Sequence, residues 1–215
     1  MNANDLLTFA RGTLLQYAVI IFIVGMLIRL LEIWLIGRKK DLSEPRASGT
    51  VPGLRTIVTR SIPAKGLLAQ SIAGYVFHVG LFVIVFFFVP HILFFKGLTS
   101  LQWPGLPNAI IDAVTIATLA ALVYAVVVRV TDPVRRMLSN FNDYFSWLIT
   151  LLPVITGYLA FHRHVGNYTL MLAIHIITVD LFLIFLPFTK LTHAMTFLFA
   201  RWYSGAMAGR KGVKV

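Results

Sequence analysis

The sequence predicts an all-α integral membrane protein: five transmembrane helices in one domain, with the N-terminus outside and the C-terminus in the cytoplasm. Three observations carry that reading. Of 215 residues, 58% are hydrophobic and 13% charged, with a mean hydropathy of +0.83, whereas a soluble domain is roughly 25% charged. Five apolar runs reach or approach the ~20 residues a helix needs to cross a bilayer. Basic residues crowd to one side of those runs, so the net charge of +11 reads as a cytoplasmic collar and not as a nucleic-acid surface. The chain has no cysteine, which excludes disulfides, thiolate zinc sites and any iron–sulfur cluster ligated by this chain.

The first span is expected over about 14–36. It ends in Arg38-Lys39-Lys40 where a signal peptide would carry a small-residue cleavage site, so it is read as a retained helix. A basic loop, 37–66, follows. Its stretch 54–60 suits a membrane surface or a partner's underside, and its bland reading is a loop that sets topology. Span two is expected over 67–95, span three over 109–130 and span four over 147–161, the last containing Pro153 and Gly157. Span five is expected over 168–200 with a bend at Pro187, which lacks a backbone donor and clashes with the preceding turn.

Fifteen Lys and Arg flank the spans on one side, among them Arg46, Arg55, Arg135, Arg136 and Arg201. Only Arg11, Lys96 and Arg163 flank the other. That asymmetry sets the orientation, and the expected location is the cytoplasmic (inner) membrane. Trp34, Trp147, Trp202 and Trp103 fall near the expected interfaces, as an aromatic belt does.

Four of the six histidines lie in long apolar runs: His78 and His91 on span two, His175 and His193 on span five. Ionisable side chains at membrane depth are costly and mark function by default, although a lone histidine is more often a packing residue. Two pairs on two antiparallel spans suit axial ligation of two haems, since neutral imidazole is a haem ligand and bis-histidine ligation suits electron transfer. Antiparallel pairing joins His78 with His193 near the inner face and His91 with His175 near the outer face. Eighteen residues separate His175 from His193, which returns to the same helical face. Thirteen separate His78 from His91, which an ideal helix would rotate ~140° apart. Pro90 is placed to correct that angle.

These residues also resemble a known family. Phe77-His78-Val79-Gly80 and Leu186-Pro187-Phe188-Thr189-Lys190-Leu191-Thr192-His193, with His175 eighteen residues earlier, look like the gamma (cytochrome b) subunit of respiratory nitrate reductase. The resemblance covers all five spans and implies two b haems held at the positions of His78, His91, His175 and His193. The family's interval within span two is shorter by about one turn. Asp143-Tyr144-Phe145 and Leu152-Pro153-Val154-Ile155-Thr156-Gly157-Tyr158 are similar to the membrane cytochromes of heterodisulfide reductase and of the sulfite-reduction-linked complex. Such relatives pass electrons between a membrane quinone and a cytoplasmic iron–sulfur subunit.

Other polar residues have two readings each. Arg29 and Glu32 can meet as an ion pair three residues apart on span one. Arg29 can instead reach the inner haem's propionates, as can Lys190, or both can be snorkelling cations. Lys96, Asp112 and Tyr168 are candidate neighbours of a quinone near the outer haem. His162-Arg163-His164 reads as an outer loop, with a share in quinone binding as its functional alternative. Asp180 is either a hydrogen-bonded buried carboxyl or a relay. The expected function is a dihaem b-type cytochrome, the quinone-reactive electron-transfer subunit of an oxidoreductase rather than its terminal-substrate subunit. A transporter or proton channel, or a non-catalytic membrane anchor, are the alternatives.

Overall fold

The computed structural model describes residues 2–36, 44–58, 67–163 and 166–213. Arg38, Lys39, Lys40, Arg60, Lys65, His164 and Lys214 lie outside the described residues. Within them the chain is helical with no strand. Five helices are long and apolar enough to cross a membrane: Ala3–Ile36, Leu68–Phe87, Asn108–Thr131, Phe141–His162 and Tyr168–Phe188. This is a multi-pass, all-α membrane protein. Its residues form two compact units, Met1–Gln16 with Ala64–Phe182, and Tyr17–Pro63 with Leu183–Val215.

The first span starts earlier than its hydropathy suggested. Asn2 and Asp5 form a capping box on α1 (Ala3–Phe9), which runs through a π-helical turn at Ala10–Leu14 into α2 (Leu15–Ile36). The polar first turn hid the helix from a hydropathy reading while capping it. Along α2, Leu27 and Ile28 are half exposed, as befits side chains whose solvent is lipid.

Span two is two helices, α4 (Leu68–Phe87) and α5 (Val89–Thr99), separated at Phe88, whose backbone is extended. Pro90 explains the break: it has no N–H to give the Phe86 carbonyl. The indole of Trp103 donates to that oxygen instead (2.5 Å). Leu106 N–H takes the next carbonyl, Phe87 (2.9 Å), because His91 N–H has turned to Phe88. Every carbonyl freed at a break in a membrane needs such a partner. Trp103 therefore completes a broken helix in addition to any belt role.

Span three is α6 (Asn108–Thr131), and a short α7 (Pro133–Leu138) leads to α8 (Phe141–His162). α8 begins six residues before Trp147, with Asn140 and Asp143 as a capping box. Asp143 also pairs with Arg129 (3.0 Å), which donates to Ser139 as well (2.9 Å). Arg129 thus ties the end of α6 to the start of α8. The helices of this unit meet through small residues and threonines. Gly80 on α4 lies against Thr118 on α6, so closely that a Cβ there would overlap the Thr118 hydroxyl. Thr115, Thr118 and Thr150 return their hydroxyls to the carbonyl one turn back, at 2.7, 2.7 and 2.8 Å, which satisfies a buried donor within its own helix.

The expected long fifth span is corrected by the structure. α9 (Tyr168–Phe185) ends in two 3-10 turns, Leu186–Phe188 and Lys190–Thr192, and His193 opens a separate α10 (His193–Arg210). Pro187 causes more than a bend. Its carbonyl is taken by Arg29 Nε on α2 (2.9 Å) and by the Thr192 hydroxyl (3.1 Å), and Gly25 leaves the room its ring occupies. In the same unit α3 (Thr50–Val58) packs antiparallel on α10. Thr56 donates to the Arg201 carbonyl (3.0 Å) and Arg201 Nε to the Thr56 carbonyl (2.6 Å). Pro52 fills the space over Gly205 and Gly209. Within the stretch expected on a membrane or partner surface, Thr56 faces this chain's own C-terminal helix while Leu54 and Val58 are exposed.

Candidate functional site

His91 and His175 come together inside the first unit. Their ring centres are 6.2 Å apart and their planes within 17° of parallel. The helix break at Phe88 sets the direction of His91, because the helical rotation restarts two residues before it.

Each ring is fixed through Nδ1. His91 Nδ1–H donates to the Ile84 carbonyl across the break (2.9 Å). His175 Nδ1 meets the Thr156 hydroxyl on α8 (3.3 Å). The Thr156 hydroxyl already gives its hydrogen to the Leu152 carbonyl (2.7 Å), so towards His175 it acts as the acceptor. Thr178 extends the network, 3.0 Å from Thr156. Gly157 is required here: a Cβ at that position would stand 2.9 Å from His175 Cε1 and 3.2 Å from Nδ1.

With Nδ1 protonated, the Nε2 lone pair is the ligating one. Two imidazoles that share a metal at about 2 Å each have ring centres about 6 Å apart, and the His91–His175 ring separation equals that spacing. Among the described residues no three His, Asp or Glu side chains gather as a metal cluster, and axial ligation asks only two donors of the protein.

His78 and His193 belong to different units, so each is described in its own. Both are exposed and both give Nδ1 to a carbonyl of the preceding turn, Gly74 (2.6 Å) and Lys190 (2.6 Å). That fixes the same Nε2-ligating tautomer at each. Phe77 lies edge-on to His78, 4.6 Å away. Arg29, a candidate for propionates, is engaged by the Pro187 carbonyl and by Glu32 (2.7 Å). The ion pair expected from spacing is therefore formed. Lys190 is exposed and contributes its carbonyl to His193.

Of the expected quinone neighbours, Lys96 is exposed on α5 and Tyr168 lies under the Arg163 guanidinium, 5.3 Å from its ring centre. Asp112 is held by His162, Nε2 to Oδ1 2.9 Å. The sequence reading gave these two no connection, although both fall at the same expected end of spans three and four. Thr156, Gly157 and Trp103 were likewise not assigned to a site. Asp180 is fully buried, and neither carboxyl oxygen has a hydrogen-bond partner among the described residues.

The chain is 33% identical over 135 residues to a protein of Nitratidesulfovibrio vulgaris (strain Hildenborough) whose recorded name is only "Protein". The aligned part is 63% of this chain and 59% of that relative, so the match covers less than two thirds of the relative's length. No family model and no solved structure matches.

Proposed function

We propose that this protein is a dihaem b-type cytochrome of the cytoplasmic membrane that passes electrons between the quinone pool and a cytoplasmic iron–sulfur partner. The observation that carries the reading is the pair of near-parallel imidazoles of His91 and His175 at 6.2 Å. Nothing in ordinary helix packing calls for two aligned histidines in a membrane-spanning unit. His78 and His193 would hold the second haem, and the resemblance to nitrate reductase gamma subunits supports both assignments. Haem supplies one-electron redox chemistry when bound, and the protein's work is placement and tuning.

This chain's residues do that work in identifiable ways. Pro90 and Trp103 set the break that aims His91. Gly157 leaves room for the His175 ring, and Thr156 holds it. The basic collar faces the cytoplasm in this reading and receives the iron–sulfur subunit, which must be another chain because this one has no cysteine. Purified protein is expected to give a bis-histidine b-type spectrum with about two haems per chain by pyridine haemochrome assay. A folded, haem-free preparation grown with ample haem would refute the proposal.

A second reading, an ion or proton pathway, rests on Asp180, a carboxyl buried at membrane depth without a partner. It predicts ion or proton flux in proteoliposomes of haem-free protein, and loss of that flux in Asp180→Asn.

A further inference from the structure

We propose that α7 and the first residue of α8 form an interfacial anchor, a face of this chain that binds the surface of an anionic phospholipid leaflet. It holds with or without haem. The connection between spans three and four reads Asp132-Pro133-Val134-Arg135-Arg136-Met137-Leu138-Ser139-Asn140-Phe141. Pro133 takes the first helical position, where a missing N–H is no loss. Asp132 caps the turn by accepting from the N–H groups of Val134 (2.9 Å) and Arg135 (3.0 Å). In the helix so started, Val134, Met137 and Leu138 share one face, being three and four residues apart. Ser139 and Asn140 are extended, and Phe141 opens α8. The four apolar side chains are between 60% and 79% exposed, more than Val127, Val130 or Leu148 on the adjoining spans. A bare apolar face of this kind marks a contact surface.

Depth and charge identify lipid as its cover. Asp112 and Arg129 are seventeen residues apart on α6, about 26 Å of helix, and Asp143 and His162 are nineteen apart on α8, about 29 Å. Those lengths match the ~30 Å hydrocarbon core of a bilayer. The Arg129–Asp143 pair (3.0 Å) therefore marks one edge of the apolar slab. Val134 follows Arg129 by five residues and Phe141 precedes Asp143 by two. That places the apolar face in the headgroup layer, ~5–8 Å deep, where interfacial helices bury their apolar side. Phe141 stacks on Phe145 there, ring centres 5.4 Å apart, as aromatic residues do at a membrane interface.

Three arginines and two aspartates stand between Arg129 and Asp143. Arg129 pairs with Asp143, and Arg135 with Asp132 (3.5 Å). The surplus positive charge belongs to Arg136, which is exposed. A cation at headgroup depth draws anionic lipid, with an effect of about fivefold in local affinity. Anchored in this way, the turn fixes the depth of α6 and α8 in the bilayer.

Because the chain has no cysteine, single cysteines can be introduced directly. The full-length protein is reconstituted in bilayers of phosphatidylcholine and phosphatidylglycerol. Nitroxides are attached at Val134→Cys, Met137→Cys, Leu138→Cys and Phe141→Cys, with Val127→Cys as the lipid-facing reference and Arg136→Cys as the water-facing one. At the four apolar positions, collisions with oxygen are expected to exceed those with a water-soluble nickel chelate, as at Val127→Cys. The opposite order is expected at Arg136→Cys. Bimane on Met137→Cys then reports headgroup choice through quenching by dibrominated lipids. Dibrominated phosphatidylglycerol should compete over the phosphatidylcholine form by about fivefold, and raised salt should lower that ratio. Adding Arg136→Gln should abolish the preference while leaving quenching by the phosphatidylcholine form intact. Nickel-chelate access at the apolar positions equal to that at Arg136→Cys would show a face standing in water, open to a protein partner, and would overturn the proposal. No preference between the two lipids in the parent, or a preference unchanged by Arg136→Gln, would overturn the assignment to an anionic leaflet.

Discussion

His91 and His175 sit in one packing unit, where a helix break aims the first ring, and Thr156 and Gly157 seat the second. His78 and His193 are split between the two units, and each takes its Nδ1 partner from the turn before it. Both pairs reach the same ligating tautomer by these different routes. The first is a site whose mutual geometry is built by its surroundings, and the second is two local preparations. Substitutions of the histidines should therefore empty one site or the other, and a non-ligand substitution beside His175 should affect the His91–His175 pair alone.

The largest effect is expected from the histidines themselves. Alanine at His91 or at His175 should lower haem content from about two to about one per chain, and the double variant should lose no more than either single. Alanine at His78 or His193 should remove the other haem, again without further loss in the double. Combining His78→Ala with His175→Ala should empty both sites. Haemochrome assay with low-temperature difference spectra reads all these outcomes. Two haems remaining in His175→Ala, or additive losses within a pair, would break the pairing.

A non-ligand change should affect one pair alone. Gly157→Val places a branched side chain where even a Cβ would lie 2.9 Å from His175 Cε1. Overpacking of this kind costs about 1–3 kcal/mol, and here the ring is the neighbour that has to move. Loss of the haem at His91–His175, with the other haem and the folded helix content retained, is expected by difference spectra and circular dichroism. Equal loss of both haems would mean that the two pairs are less separable than their packing units suggest.

Much of this was legible in the sequence, and the exceptions share a cause. Five spans and the Arg29–Glu32 pair follow from hydropathy and spacing. The ends of elements did not follow. Asn2, Asp5, Asn140 and Asp143 are polar, so a hydropathy window ends the helices where the structure begins them with capping boxes. Pro90 and Pro187 each marked a place where regularity fails, but not how far it fails. That depended on remote partners for the freed carbonyls: Trp103 for Phe86, and Arg29 with Thr192 for Pro187. The His162–Asp112 bond spans fifty positions and carries no local signal; only the shared expected depth of the two residues pointed to it.

The smallest effect tests the seat of His175 most finely. Thr156→Val keeps the shape of the side chain but removes the acceptor that the His175 Nδ1–H meets at 3.3 Å. An acceptor at Nδ1 makes the imidazole a stronger donor at Nε2 and so favours ferric over ferrous iron. Its removal should raise the midpoint potential of that haem. A neutral hydrogen bond contributes about 1 kcal/mol, which for one electron corresponds to about 40 mV. The length of this bond, 3.3 Å, places the expected shift below that figure. Redox titration should show one haem moved upward and the other unmoved, with Thr156→Ser restoring the parent value. A shift of both haems would assign the effect to general loosening of α8, and a downward shift of the one would mean that Thr156 donates to the ring instead of accepting from it.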